Sequence, residues 1–120
     1  FHNLSIQFVE NGTCLKVGSL HLLHGNEAGC RGGINIARTM LLKTNDNCAF
    51  GNFHKTQSHS GRDLDGGEFV NFAIGCLCGL KPRYLPINQW NLGFATVELF
   101  KNEFDFQNKR ILANYNVRSN

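Results

Sequence analysis

The stretch that decides the fold is Cys48-Ala49-Phe50-Gly51-Asn52-Phe53-His54. Its first three residues read as a short apolar strand, and Gly51 releases the chain at the strand's C-terminal end. Residues 52 and 54 are two apart, so in an extended segment they share a side and can reach one centre. An amide oxygen and an imidazole nitrogen together suit borderline ions such as Mn²⁺, Fe²⁺ or Zn²⁺. Standing alone, the same His54 reads as a surface residue of a polar hairpin, so its meaning depends on the rest of the chain.

Upstream, Leu20 to Leu23 reads as another short strand that ends at His24. The glycine-rich loop His24-Gly25-Asn26-Glu27-Ala28-Gly29-Cys30-Arg31-Gly32-Gly33 follows. A histidine at a strand's end can aim a ring nitrogen into a site, and small neighbours let other groups approach. A helix is predicted for 34–43: Ile34, Ala37 and Leu41 share one face, Ile36 and Met40 widen it, and Lys43 suits its C-terminus. Asn45-Asp46-Asn47 is a polar turn. Nearer the start, Leu4, Ile6 and Phe8 alternate with Ser5, Gln7 and Val9 as in a half-buried strand. Asn11-Gly12 would turn that strand into another at Cys14 to Val17.

Downstream, Lys55 to Ser60 is polar but compatible with an extended chain. Asp65-Gly66-Gly67 is a turn, and Glu68 to Leu77 reads as a strand. Pro82 and Pro86 mark an irregular loop through Trp90. Phe94 to Phe100 is a strand, with Phe94, Thr96, Glu98 and Phe100 on one face and Ala95, Val97 and Leu99 on the other. Phe104 to Leu112 adds an edge strand, and the tail from Asn114 is read as loose. The inventory is α/β and β-rich, with one clear helix at about 34–43. It suits half of a β-sandwich flanked by a helix, the other half lying upstream. Residues 1–120 thus read as a single, partial domain, and a start at Phe1 rather than Met is expected of a processed product or a piece of a longer polypeptide.

Composition narrows the function. The 120 residues are 42% hydrophobic and 18% charged, which is enough apolar material for a packed core and too little charge for a disordered chain. No apolar run approaches the roughly 20 residues of a membrane span. The net charge of +3 comes from scattered lysines and arginines, unlike the clustered footprint of a dedicated nucleic-acid module. Five cysteines at irregular spacing are no disulfide framework and point to a reducing compartment. Cys76 and Cys78 lack the second Cys pair of a zinc ribbon and read as thiols packed in a core. Trp90, Phe94 and Phe100 also read as core, although Trp90, like Tyr84, lies in the proline-containing loop.

The ordered string HGNEAG…RGGINIAR…NCAFGNFHKTQSH…IGCLCGLKPRYLPINQWNLGFATVEL resembles the C-terminal half of calcineurin-like metallophosphoesterases, in the version found in bacteriophages and their hosts. That version runs His-Gly-Asp, a glycine run, an Asn-Pro-Ala-Arg-like helix start, Gly-His-Phe-His, Gly-Cys-Leu-Cys and a Trp-Asn-His-Gly-Phe-Ala strand. The resemblance covers roughly residues 18–100. It implies half of a metallophosphoesterase β-sandwich and a site with two divalent metals (Mn, Fe or Zn) that polarises a phosphoryl group for attack. His24 matches a ligand of the second metal. Asn52 stands where a histidine normally ligates that same metal, and His54 matches a ligand of the first. Asn26 and Glu27 fall beside the site, and Lys55 matches a basic residue that can meet substrate phosphate.

The resemblance also implies deficits. Asn52 is a weaker ligand than an imidazole, and Leu92 replaces a histidine. The Asp-x-His, Gly-Asp and Gly-Asn-His motifs of relatives lie upstream and match nothing in Phe1 to Gly18, so no catalytic residue is assigned. The expected function is phosphate mono- or diester hydrolysis that needs the missing N-terminal half, with this portion inert alone. The alternative is a non-catalytic structural or partner-binding module derived from that fold, within a phage assembly. Partners on either reading are a phosphoester substrate, the missing half or another protein chain. No membrane is expected, and nucleic acid only as a phosphoester substrate. The location is expected to be reducing cytoplasm, including that of an infected bacterial host, or a phage particle.

Overall fold

The computed structural model describes residues 5–10 and 12–119. Its elements are β1 (Leu15–Val17), β2 (Leu20–Leu23), α1 (Ile36–Thr44), β3 (Cys48–Phe50), β4 (Gln57–Arg62), β5 (Glu68–Ala73), β6 (Gly93–Phe100), β7 (Glu103–Ile111) and β8 (Val117–Ser119). Strands β1 to β5 form one sheet in the order β1-β2-β3-β5-β4, and β6-β7-β8 form a second. In the first sheet β2, β3 and β5 run parallel, while β1 and β4 are antiparallel edges. The α/β, strand-rich architecture with one helix is the expected one.

Side-chain alternation along β5 builds the layers. Ala73 faces α1 and joins Ile36, Met40 and Phe50 in the buried core. Its neighbour Phe72 faces the other way and stacks on Phe106 of β7, ring centroids 4.1 Å apart. Asn108, two residues along β7, donates from Nδ2 to the carbonyls of Ala73 (2.8 Å) and Gln57 (3.3 Å). The order is therefore helix, five-stranded sheet, three-stranded sheet.

The helix starts two residues later than its apolar pattern predicts. Asn35 takes the N-cap, its side-chain oxygen accepting from the Arg38 amide at 3.1 Å. Gln57 reaches over from β4, accepts from the Ala37 amide at 3.3 Å and donates to the Ile34 carbonyl. Asn45 ends the helix with φ 47° and donates its amide to the Leu41 carbonyl at 2.8 Å.

Five expectations are corrected. The alternating segment near the start forms no strand over its described residues. Ile6 and Phe8 are 88% and 87% exposed, and no described strand pairs with them, so alternation alone buries nothing. Leu4 in that segment and Asn11 in the following turn lie outside the described residues. The strand predicted to Leu77 ends at Ala73. Ile74 makes a last bond to the Phe50 carbonyl (2.9 Å), and the chain then turns toward Asn91. The segment predicted as an edge strand, β7, is the centre of its sheet, because 117–119 of the supposedly loose tail pair with it as β8. Phe100 is 63% exposed rather than core, at the end of a strand whose residues from Thr96 onward are all exposed.

Candidate functional site

The three parallel strands end at the same rim, and the loops leaving them carry the candidate residues. In sheets of this kind the carboxyl ends of parallel strands are where ligands bind. His24 follows β2, Gly51 to His54 follow β3, and Ile74 to Cys78 follow β5. The register Leu23↔Phe50 and Phe50↔Ala73 brings the three exits level.

The first two loops touch through their backbones. The Gly51 amide donates to the His24 carbonyl at 2.9 Å. A Cβ on Gly25 would lie 2.8 Å from the Asn52 Cβ and 2.9 Å from the Gly51 carbonyl oxygen. With φ 128° as well, position 25 requires glycine. Glu27 fixes this turn: its carboxylate accepts from the His24 and Gly25 amides, both at 2.8 Å. Burial pushes the Glu27 pKa up, but the amides of Gly25, Glu27 and His24, with His24's charge, outweigh it and hold the group below its ordinary value. Asn26 accepts from the Gly29 amide at 3.1 Å through its backbone carbonyl. Lys55 donates from Nζ to the Gly33 carbonyl at 2.7 Å, so its ammonium holds down the far end of the glycine loop.

Residues 52 and 54 are not extended. Both have left-handed backbones, φ 67° and 59°, and the Phe53 amide folds back on the Gly51 carbonyl at 2.8 Å. The shared side inferred from extended spacing is therefore replaced by a tight turn, in residue types that tolerate positive φ. Phe53 is its anchor. It packs against the Ile36–Met40–Phe50–Ala73 core, with its ring edge-on to Phe50 at 5.9 Å. With Phe53 turned inward, Asn52 is left exposed, and the His54 ring sits against Trp90 at 4.1 Å.

The sequence reading missed what His54 meets next. Its Nδ1 lies 3.8 Å from the Cys78 sulfur, and ligand atoms of His54, Cys76 and Cys78 all fall within 4.8 Å of one another. Cys76 is buried as expected of a core thiol, but Cys78 is exposed. Burial pushes the Cys76 thiol above its ordinary value; hydrogen bonding by the Cys78 backbone opposes this, and the Cys78 side chain adds to it. Asn91 locks the arrangement. Its amide donates to the His54 carbonyl at 2.9 Å, and its carbonyl accepts from the Cys76 amide at 3.0 Å. Its side chain bridges to Thr56, Oδ1 accepting from the amide and Nδ2 donating to the hydroxyl, both at 2.7 Å. Gly75 makes this fit possible, since a Cβ there would stand 2.7 Å from the Asn91 carbonyl oxygen. A glycine within an apolar run, next to Cys-x-Cys, was the available signal of close backbone approach.

Two sheets backed by a helix, with the parallel strands ending at one rim, are consistent with a partial metallophosphoesterase-like fold. Three solved structures of Vps29 from Entamoeba histolytica, a protein of calcineurin-like metallophosphoesterase fold, are similar to this chain. A single mutant of Vps29 aligns with TM-score 0.56 and 15% identity over 100% of this chain and 64% of its own. A double mutant gives 0.51, 13%, 100% and 64%. The wild type complexed with Zn²⁺ gives 0.51, 14%, 97% and 62%. The chain thus spans less than two thirds of these proteins, and the likeness is one of fold. No family model matches the sequence, and no curated protein does.

Proposed function

We propose that the chain is the C-terminal portion of a metal-dependent phosphoesterase of the calcineurin-like, bacteriophage type, which acts on phosphate mono- or diesters when the upstream half completes its site. The observation that carries this reading is the meeting of the His24–Gly25 and Gly51–His54 turns at one rim of the sheet. In this reading His24 and Asn52 serve one ion and His54 the other. Asn26, Glu27 and Lys55 border the substrate, Glu27 by shaping the turn and Lys55 by holding the glycine loop. When bound, the ions (Mn, Fe or Zn) supply Lewis-acid stabilisation of the phosphoryl oxygens.

The residues of this chain do not by themselves fit a pair of dications. His24, Asn52 and His54 would each bind an ion as an uncharged ligand and so bring no negative charge to balance it. The one group of three His, Cys or carboxylate ligands brought together among the described residues contains no carboxylate. The balancing carboxylates come, in this proposal, from the upstream half, in the same polypeptide or another chain, and the chain alone is inert. The setting is a reducing cytoplasm, in an infected host, or a phage particle. Among the described residues no helix is long and apolar enough to cross a membrane.

A second reading, a non-catalytic module that binds a protein partner, is favoured by a specific feature. The loop after Cys76 exposes Leu77 (76%), Tyr84 (78%) and Ile87 (92%) beside the rim. Hydrolysis of a p-nitrophenyl phosphodiester with Mn²⁺ separates the two. The chain alone is expected to show no turnover, and a longer polypeptide carrying upstream Asp-x-His and Gly-Asn-His motifs to show it. Turnover by the chain alone contradicts the proposal. A folded, metal-loaded longer polypeptide without activity leaves the second reading. In the longer polypeptide Asn52→His is expected to tighten metal binding, and unchanged affinity would count against the role given to residue 52.

A further inference from the structure

We propose that His54, Cys76 and Cys78 form a mononuclear zinc site with an open fourth position. This inference does not rest on the phosphoesterase reading and survives its failure. Three observations carry it.

The first is distance. Zinc with Zn–S of about 2.3 Å and Zn–N of about 2.1 Å sets tetrahedral edges of roughly 3.6–3.8 Å between ligand atoms. The His54 Nδ1 to Cys78 Sγ separation is 3.8 Å, long for a hydrogen bond and close to such an edge, and all three ligand atoms lie within 4.8 Å of one another. The second is charge. Two thiolates and one imidazole neutralise a single dication, as the set His24, Asn52 and His54 cannot. Sulfur and imidazole are also ligands that zinc takes in preference to Mg²⁺ or Mn²⁺. The third is preorganisation. Asn91 binds the backbones of both His54 and Cys76, and Trp90 packs on the His54 ring. Two ligands from separate loops are thus set before any ion arrives, which lowers the ordering cost of binding.

The Cys-x-Cys spacing is tighter than that of a zinc knuckle, and no second knuckle is needed because the turn after β3 supplies the third ligand. The exposure of Cys78 leaves the fourth position facing solvent, as in zinc sites that keep an exchangeable water.

The test is Co²⁺ titration of the full chain, kept reduced with a phosphine. The expected result is about one equivalent bound, with a sulfur-to-cobalt charge-transfer band in the near ultraviolet that Zn²⁺ abolishes. Cys78→Ser, at an exposed position, should weaken the band and reduce affinity ~10-fold or more. His54→Gln should reduce affinity while keeping the sulfur band. Circular dichroism of the metal-free variants establishes that each is folded. Absence of binding, binding without a sulfur band, or a folded Cys78→Ser that binds Co²⁺ like the parent would each overturn the site. Cobalt held without the sulfur band and lost in His24→Ala would sink this inference while leaving the other metal reading intact.

Discussion

Gly25 and Glu27 govern where His24 can sit. Gly25→Ala places a methyl within 3 Å of Asn52 and Gly51 at a φ that L-residues rarely adopt. A loss of ~1–3 kcal/mol is expected in denaturant melts, with the largest chemical-shift changes at Gly51 and Asn52. Shift changes confined to the 25–33 loop would contradict the contact. Glu27 gives the turn a pH dependence. Its folded-state pKa lies below the ordinary carboxylate value, so its contribution is complete above the unfolded value and is lost as pH falls through the depressed folded one. The His24 and Gly25 amides should therefore exchange faster as pH drops through that window, after correction for intrinsic rates. Glu27→Gln should flatten the profile, and an unchanged profile would remove Glu27 from the turn.

At the level of elements, the rim depends on short strands and the turn that follows each. Phe53 ties the turn after β3 to the core under α1. Phe53→Ala is expected to cost ~2–3 kcal/mol, at or below the low end for a phenylalanine because the ring is only half-buried. It should also release His54 from Trp90, seen as a change in indole fluorescence, and a stability loss with unaltered fluorescence would separate the two roles. β2, β3, α1 and the β4–β5 turn were legible in the sequence, because short apolar runs, a helical stripe and Asp-Gly-Gly are local signals. The end of β5 was not. Ile74 and Gly75 continue the apolar run, and what stops the strand is Asn91, which lies far away along the chain and makes backbone contact there. The same non-local contact hid the site. Cys76 and Cys78 looked like a lone pair because His54 reaches them only through the parallel pairing of β3 with β5. The left-handed turn at 52–54 escaped because an extended chain was the simplest conformation that puts alternate residues together.

Across the whole molecule, one place where the two sheets are joined is the packing of β7 on β4 and β5. Asn108 is buried and donates to carbonyls on both strands, while Phe106 stacks on Phe72 beside it. Asn108→Ala leaves those two carbonyls short of a donor, for an expected loss of ~1–3 kcal/mol in chemical denaturation. A neutral result would remove Asn108 from the joint between the layers. The joined sheets keep three strand exits level, and both metal readings of this chain depend on that rim's holding an ion. The most direct measurement is anomalous diffraction at the zinc edge from crystals of the reduced 120-residue chain grown with Zn²⁺. The account predicts a peak about 2.0–2.1 Å from a ring nitrogen of His54. An ordered map with no peak at His54, or with zinc bound only away from the ends of β2, β3 and β5, would contradict it.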